Sequence, residues 1–432
     1  MAHHPPGRPG ALRFRLSAMM FLQYAIWGAW LPILYPFLQS RGFSSGEISM
    51  AFALGAVGAI FGPFLAGQAA DRHFATERLL GVSHLAGAVL VWFLATLTDP
   101  KAFLLVSFLY GLIYAPTLAL TNSLSFAHLE DRDRDFGPIR MWGTIGWIAV
   151  GIAVGQWLLH RHSEPGMTPE QLEAAWNVGR ADAFRFSAVL GALMGVYAFT
   201  LPHTPPAKEA GERNAVREAL GEARRQPLLT LFLLAVPMSI VHQFYFVHTA
   251  GFLSEIQARS EAVQDFAATI NRLFGVGGGG LMTIGQMTEI LVLGLIPLVA
   301  PRVSRKALLA TGIAAYAARM ALFAYTDAVA PILLGVALHG LCFGCFVFVA
   351  FMVVDEETTP DVRASAQNLF NLVIVGIGII VGSWFAVSVV GDWAATETGM
   401  DWRRLFSVPM AIALACLGAL LAFYPRHAPH HR

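Results

Sequence analysis

The chain has 432 residues, of which 56% are hydrophobic and only 13% charged, half the charged share of an ordinary soluble domain. A formal net charge of +1 provides no field to attract nucleic acid, and three cysteines cannot make a disulfide scaffold. A soluble enzyme and a β-barrel are both excluded: barrel strands are short alternating segments, and this chain is built of long apolar runs.

The runs lie near 14–38, 47–69, 78–97, 101–125, 138–159, 183–201, 228–253, 281–300, 307–325, 329–353, 364–390 and 404–424. Each is near the 20 residues that cross a bilayer as a helix. Segment 1–12, rich in Pro, Gly and His, reads as a terminal tail, and the first run is too long for a signal peptide. Six runs precede the polar stretch 202–227 and six follow it. The expected architecture is all-α, about twelve transmembrane helices in two six-helix bundles, 1–201 and 228–432, joined by a linker at 202–227. Pro202, Pro205 and Pro206 stop the sixth helix, and residues 216–225 suit a short amphipathic surface helix or a solvated linker. With the N-terminus in the cytoplasm, eighteen of the 29 lysines and arginines fall on the cytoplasmic side, so both termini are expected there.

After the second run the chain reads Gly67-Gln-Ala-Ala-Asp71-Arg72, with Arg78 six residues on. An acid here can sit against a helix N-terminus, so Asp71 and Arg72 are expected to form a conformational latch rather than a plain charged turn. Between the seventh and eighth runs, Gly275–Gly280 lacks the Lys-Ser/Thr of a phosphate loop and reads as a flexible external hinge.

Ionisable groups at bilayer depth are costly, which makes each a candidate for function. The fifth run carries Arg140, Thr144 and Trp147 at i, i+4 and i+7, on one helix face. A guanidinium, a hydroxyl and an aromatic plane suit a flat ligand with hydrogen-bonding edges. The competing reading of Arg140 is a snorkelling side chain near Asp135. The eighth run carries Gln286 and Glu289, with no other charge before Arg302. A carboxyl that deep needs a partner or a proton, which fits it for proton exchange or for a salt bridge to Arg140 or Arg319. The seventh run adds His242, Gln243, Tyr245, Phe246 and His248, and the tenth adds His339 and Phe343 one turn apart. These are pocket walls or packing residues by type alone. Cys342 and Cys345 are spaced like half a zinc site without a second pair, so neither metal nor cofactor is expected. His-Glu-x-x-His and paired Cys-x-x-Cys patterns are lacking, which argues against an enzyme.

The layout of six helices, a basic linker and six helices, with the motif from Gly67 to Arg78, resembles the major facilitator superfamily. Within it, the chain resembles the bacterial nucleoside:proton symporters. The likeness rests on FLQYAIWGAWLP in the first run, YAPTLALTNSLSF in the fourth and PIRMWGTIGW opening the fifth. GQMTEIL in the eighth, ARMALFAYTD in the ninth and VRASAQNLF opening the eleventh complete it. The resemblance implies proton-driven nucleoside uptake by alternating access, in a bacterial inner membrane, by a monomer. It implies nucleoside contacts for Arg140, Thr144, Gln243, Gln286, Glu289 and Phe343, and places Trp147 where a Phe stacks on the ligand. Three departures follow. Phe246 stands where the family has Asn, His339 where it has Tyr, and Gly344 where it has an acid. The pocket should therefore be more aromatic, with Phe246 and His339 in its wall and Glu289 carrying more of the proton coupling. A carrier for another polar solute such as a sugar, or a non-transporting solute sensor, are the alternative expectations.

Overall fold

The computed structural model of the protein describes residues 9–55, 57, 74–205, 221–358, 363–397 and 399–425. Two features expected from sequence, the Asp71–Arg72 latch and the first half of the amphipathic linker segment, lie outside the described residues. Helix α1 (Gly10–Ser40) is followed by α2, helical over its described residues 45–55. Then come α3 (Thr76–Leu94), α4 (Pro100–His128), α5 (Arg132–His162) and α6 (Pro169–Ala198). The second half holds α7 (Leu228–Val263), α8 (Gly279–Val299), α9 (Arg305–Tyr325), α10 (Val329–Glu356), α11 (Ala366–Ala394) and α12 (Trp402–Phe423). Among the described residues, 11 helices are long and apolar enough to cross a bilayer, and α2 stands where the remaining expected run begins.

The helix ends carry the polar chemistry that water-exposed ends require. Asp99 caps α4 by accepting from the Ala102 amide at 2.8 Å, Ser304 caps α9, and Asp401 caps α12. Thr168 and Gln171 close a reciprocal capping box at the start of α6. That cap moves the start of α6 well ahead of the expected 183, so Arg180 is not in an external loop. It is fully buried, and its Nη2 donates to Ser254 Oγ of α7 at 2.8 Å. Helix α1 bends where Pro32 forces the 3₁₀ turn Leu31–Ile33. Helix α10 widens into π-helical geometry over Cys342–Phe348, and α11 does so over Leu372–Ile377 and Phe385–Gly391.

One apolar core, including Phe37, Phe103 and Phe184, fills the first half; another, including Phe244, Tyr316, Phe323 and Phe406, fills the second. Val89, Trp92, Leu105, Leu193, Leu291 and Leu414 are exposed instead. An apolar exterior of this kind suits lipid, because lipid tails exert no pressure to bury it.

The halves meet at the end that bears the α1–α2, α5–α6, α7–α8 and α11–α12 loops. Ser45 is hydrogen-bonded to Asp392, and Ser49 Oγ lies 2.7 Å from Ser388 Oγ. Tyr35 of α1 meets the His248 ring of α7 edge-on, with ring centroids 4.6 Å apart. The tightest contact joins α5 to the α7–α8 connection, where the Val276 amide donates to the Gly155 carbonyl at 3.0 Å. A Cβ on Gly275 would lie 2.0 Å from the Gly155 carbonyl carbon. Gly275, Gly277 and Gly278 all have positive φ, at 77°, 79° and 82°. Gln257 braces the turn, donating to Gly275 O and accepting from the Gly278 amide, both at 2.8 Å. The stretch expected to be a flexible hinge is thus a packed, hydrogen-bonded seam, glycine-rich because the backbones touch. At the opposite end, Arg13–Asp135 ties α1 to α5, and Arg305–Glu356 ties α9 to α10, each within one half.

Candidate functional site

From the glycine seam, α5 and α8 run alongside each other in opposite directions. Gly155 abuts Gly275, and one turn deeper Gly151 faces Thr283. Continuing in that register brings Trp147 and Thr144 level with Gln286 and Glu289, with Arg140 about one turn further along α5. In keeping with this, Arg140 is close enough to Glu289 to act on it electrostatically. The charge in each half therefore looks across the join between them.

On the α5 side, the Arg140 guanidinium sits 3.9 Å from the centre of the Tyr24 ring. Asp135 accepts a 2.7 Å hydrogen bond from Arg13. Trp147 is half-buried and meets Trp27 edge to face, with centroids 5.8 Å apart. Thr144, also half-buried, lies between Arg140 and Trp147 on the same face. Tyr24 and Trp27 were not picked out from the sequence, although Tyr24, Trp27 and Gly28 share one face of α1 at helical spacing.

On the other side, α7, α8, α9 and α10 converge on His339, which is 2% exposed. Its ring stacks on Tyr245, with centroids 4.8 Å apart and planes 17° from parallel. Phe246 meets the same ring edge-on at 6.1 Å, and Phe343 lies 6.4 Å away. His339 reaches α8 because the next residue is Gly340, where a Cβ would fall 2.4 Å from the Thr288 backbone. Thr288 secures the crossing by donating to the Ala337 carbonyl at 2.6 Å and accepting from the Gly340 amide at 3.2 Å. The outcome is that His339 Nε2 stands 3.5 Å from Glu289 Oε2, while Nδ1 faces Arg319 Nη1 at 3.1 Å. Neither salt bridge weighed for Glu289, to Arg140 or to Arg319, is formed among the described residues; the imidazole of His339 stands between Glu289 and Arg319.

Gln286 is 5% exposed, and its Oε1 has no hydrogen-bond partner among the described residues. A buried carbonyl in that state has an acceptor to offer a ligand or water. Gln243 is buried too, but its Nε2 donates to Ser383 Oγ of α11 at 2.9 Å, which holds α7 to α11 in this conformation. His242 Nδ1 lies 2.6 Å from the Tyr316 hydroxyl, extending the polar cluster to α9. His248 is engaged elsewhere, its Nε2 donating to Ala386 O at 2.9 Å.

A two-half bundle of membrane-spanning helices, with a carboxyl, guanidinium groups and aromatic rings gathered across the join, defines a secondary transporter of the major facilitator type. The sequence matches the family described as nucleoside H+ symporter over residues 11–428, and the chain belongs to it. Among relatives, a putative nucleoside transporter of Escherichia coli (strain K12), YegT, is 33% identical over 85% of this chain and 82% of its own. The nucleoside permease NupG of the same organism is 27% identical over 96% of each chain. A crystal structure of the nucleoside transporter NupG superposes with a TM-score of 0.80 at 26% identity, covering 95% of this chain and 98% of that one. Family membership makes the chain a multi-pass, proton-coupled nucleoside transporter.

Proposed function

We propose that this protein takes up nucleosides across a bacterial inner membrane, with both termini cytoplasmic, and that the site between α5 and α8 binds the nucleoside and carries the coupled proton. The base would lie on Trp147 in the aromatic wall formed with Trp27. Arg140 and Thr144 would address its polar edges or the ribose, and Gln286 would offer its free carbonyl. Phe246 and Phe343 line the far wall around His339, and Gln243 exchanges Ser383 for substrate in another conformation. Glu289 is the proton carrier. The single observation that supports this most is Glu289 beside His339, with Arg140 of the other half in electrostatic reach. A group so placed can sense both the presence of substrate and the closing of the halves.

Units 1–201 and 228–432 rock about this site, joined through a cytoplasmic linker at 202–227. The seam at Gly155 and Gly275 is the external closure of an inward-facing state, and Asp71 with Arg72 serves the opposite closure. We read the chain as a carrier without enzymatic activity, working as a monomer. Uptake of radiolabelled nucleosides into energised vesicles tests this reading. Accumulation abolished by an uncoupler, and competed by nucleosides but not by sugars or free bases, is expected. Competition by sugars alone would make it a carrier for another solute, and binding without uptake would make it a sensor.

A further inference from the structure

The charge of Arg319 has no role in the site as described so far, yet its place is unusual. It lies in the middle of α9 and is 0% exposed. Its guanidinium is held between the Tyr245 and Tyr316 rings, 4.2 and 4.9 Å from their centres. Its Nε and Nη2 have no hydrogen-bond partner among the described residues, and Nη1 points at Nδ1 of His339. A guanidinium only donates, so Nδ1 must be the accepting nitrogen of a neutral imidazole. The ring proton is then on Nε2, the atom that faces Glu289 Oε2 at 3.5 Å. The carboxylate thus faces an imidazole N–H at 3.5 Å, and behind that imidazole stands a permanent positive charge.

We infer that Arg319 is the positioning residue of the proton site: it fixes the tautomer of His339 toward Glu289 and keeps the imidazole from taking the coupled proton itself. This rests on the reading of Glu289 as the proton carrier. A second proton on His339 would go to Nδ1, turning it from acceptor to donor; the hydrogen bond from Arg319 would be lost and two cations would stand face to face, which is unfavourable in a buried site. The proton arriving from outside therefore goes to the Glu289 carboxylate oxygen. On departure it leaves an anion that the His339 Nε2–H stabilises. No covalent bond other than O–H is made or broken. The charged and titratable groups facing the pair are Arg140 from α5, Tyr245 and His242 from α7, Arg319 and Tyr316 from α9, and Cys342 on α10. Only the two arginines carry a fixed charge, and Arg319 is the one that touches His339.

The sign of the effect follows. Arg319 opposes any added proton on the pair, so removing its charge lets the pair keep its proton to higher pH. In proteoliposomes at fixed membrane potential and internal pH, the initial rate of uptake of radiolabelled uridine, or whichever nucleoside the wild type takes up, is measured against external pH. In Arg319→Gln the alkaline midpoint should rise by about one pH unit. Arg319→Lys should restore the wild-type midpoint even where its maximal rate is lower. His339→Phe removes the donor from the carboxylate and should shift the midpoint the same way, so it carries the test if Arg319→Gln does not reach the membrane. A slower Arg319→Gln with an unmoved midpoint would show a packing role and overturn the inference, as would an unmoved midpoint in His339→Phe. Glu289→Gln separates the two levels. If it keeps uphill, uncoupler-sensitive uptake, the assignment of Glu289 is wrong; if it loses it while Arg319→Gln leaves the midpoint in place, only the role of Arg319 is wrong.

Discussion

Removal of the Trp147 indole is the most direct probe of how the nucleobase is held. One edge of the ring is engaged by Trp27, and Gly28 packs close beneath it: a Cβ there would lie 2.9 Å from Trp147 Cγ. One indole face is therefore occupied by α1, which leaves a single face for a base rather than a sandwich. Stacking on an aromatic side chain contributes about 1–3 kcal/mol per base, and one face places the expected loss for Trp147→Ala near 2 kcal/mol. That corresponds to a roughly thirty-fold rise in Kd. Trp147→Phe keeps an aromatic plane at the same place and should cost less than about threefold. Equilibrium binding of a radiolabelled nucleoside to detergent-solubilised protein, by scintillation proximity, measures both. Binding by Trp147→Ala within twofold of wild type would remove the base from this wall. An equal loss in Trp147→Phe would mean that the indole N–H, and not stacking, is what the ligand meets.

Two further perturbations test the frame around the site. Gly275→Val adds atoms where even a Cβ overlaps Gly155, in a backbone with φ of 77°, so the seam should fail to close. External labelling of a cysteine introduced at Ser49 should rise and uptake should fall at least tenfold; unchanged labelling would mean the seam is not the external closure. Ser254→Val leaves the buried Arg180 Nη2 without its 2.8 Å acceptor, which should cost about 1–3 kcal/mol and lower the Tm by several degrees without altering nucleoside selectivity. Arg180 also donates to Asn177 and, at 3.5 Å, to Glu173, and an unchanged Tm would show that these two suffice to hold it.

Much of this molecule was legible because hydropathy reports what lipid demands, and among the described residues the 11 membrane-length helices fall on the apolar runs. The start of α6 was hidden because Glu170, Glu173, Arg180, Asp182 and Arg185 dilute the hydropathy of its first turns, although the Thr168–Gln171 capping pair marked the boundary. The glycines at 275–280 read as flexible because a sequence does not name the backbone that will press against them. Helical spacing grouped Arg140 with Thr144 and Trp147, and Gln286 with Glu289, because each set lies on a single helix. It could not tell which arginine approaches Glu289. The answer, an imidazole from α10 set between α8 and α9, depends on the close crossing at Gly340 and on no periodicity within one run. The same limit applies to Gln243, whose partner Ser383 lies 140 residues away.

The central claim is that a single carboxyl, Glu289, couples nucleoside movement to the proton gradient, and Glu289→Gln tests it in one pair of assays. Gln reproduces the shape of the protonated acid but has no proton to release. In proteoliposomes loaded with unlabelled nucleoside, the variant should exchange it for external radiolabelled nucleoside at a rate within severalfold of wild type. In empty proteoliposomes with an imposed proton gradient, the same variant should only equilibrate, with no accumulation above the external concentration and no response to an uncoupler. Accumulation at wild-type levels, abolished by the uncoupler, would contradict the account and place the coupled proton on another group.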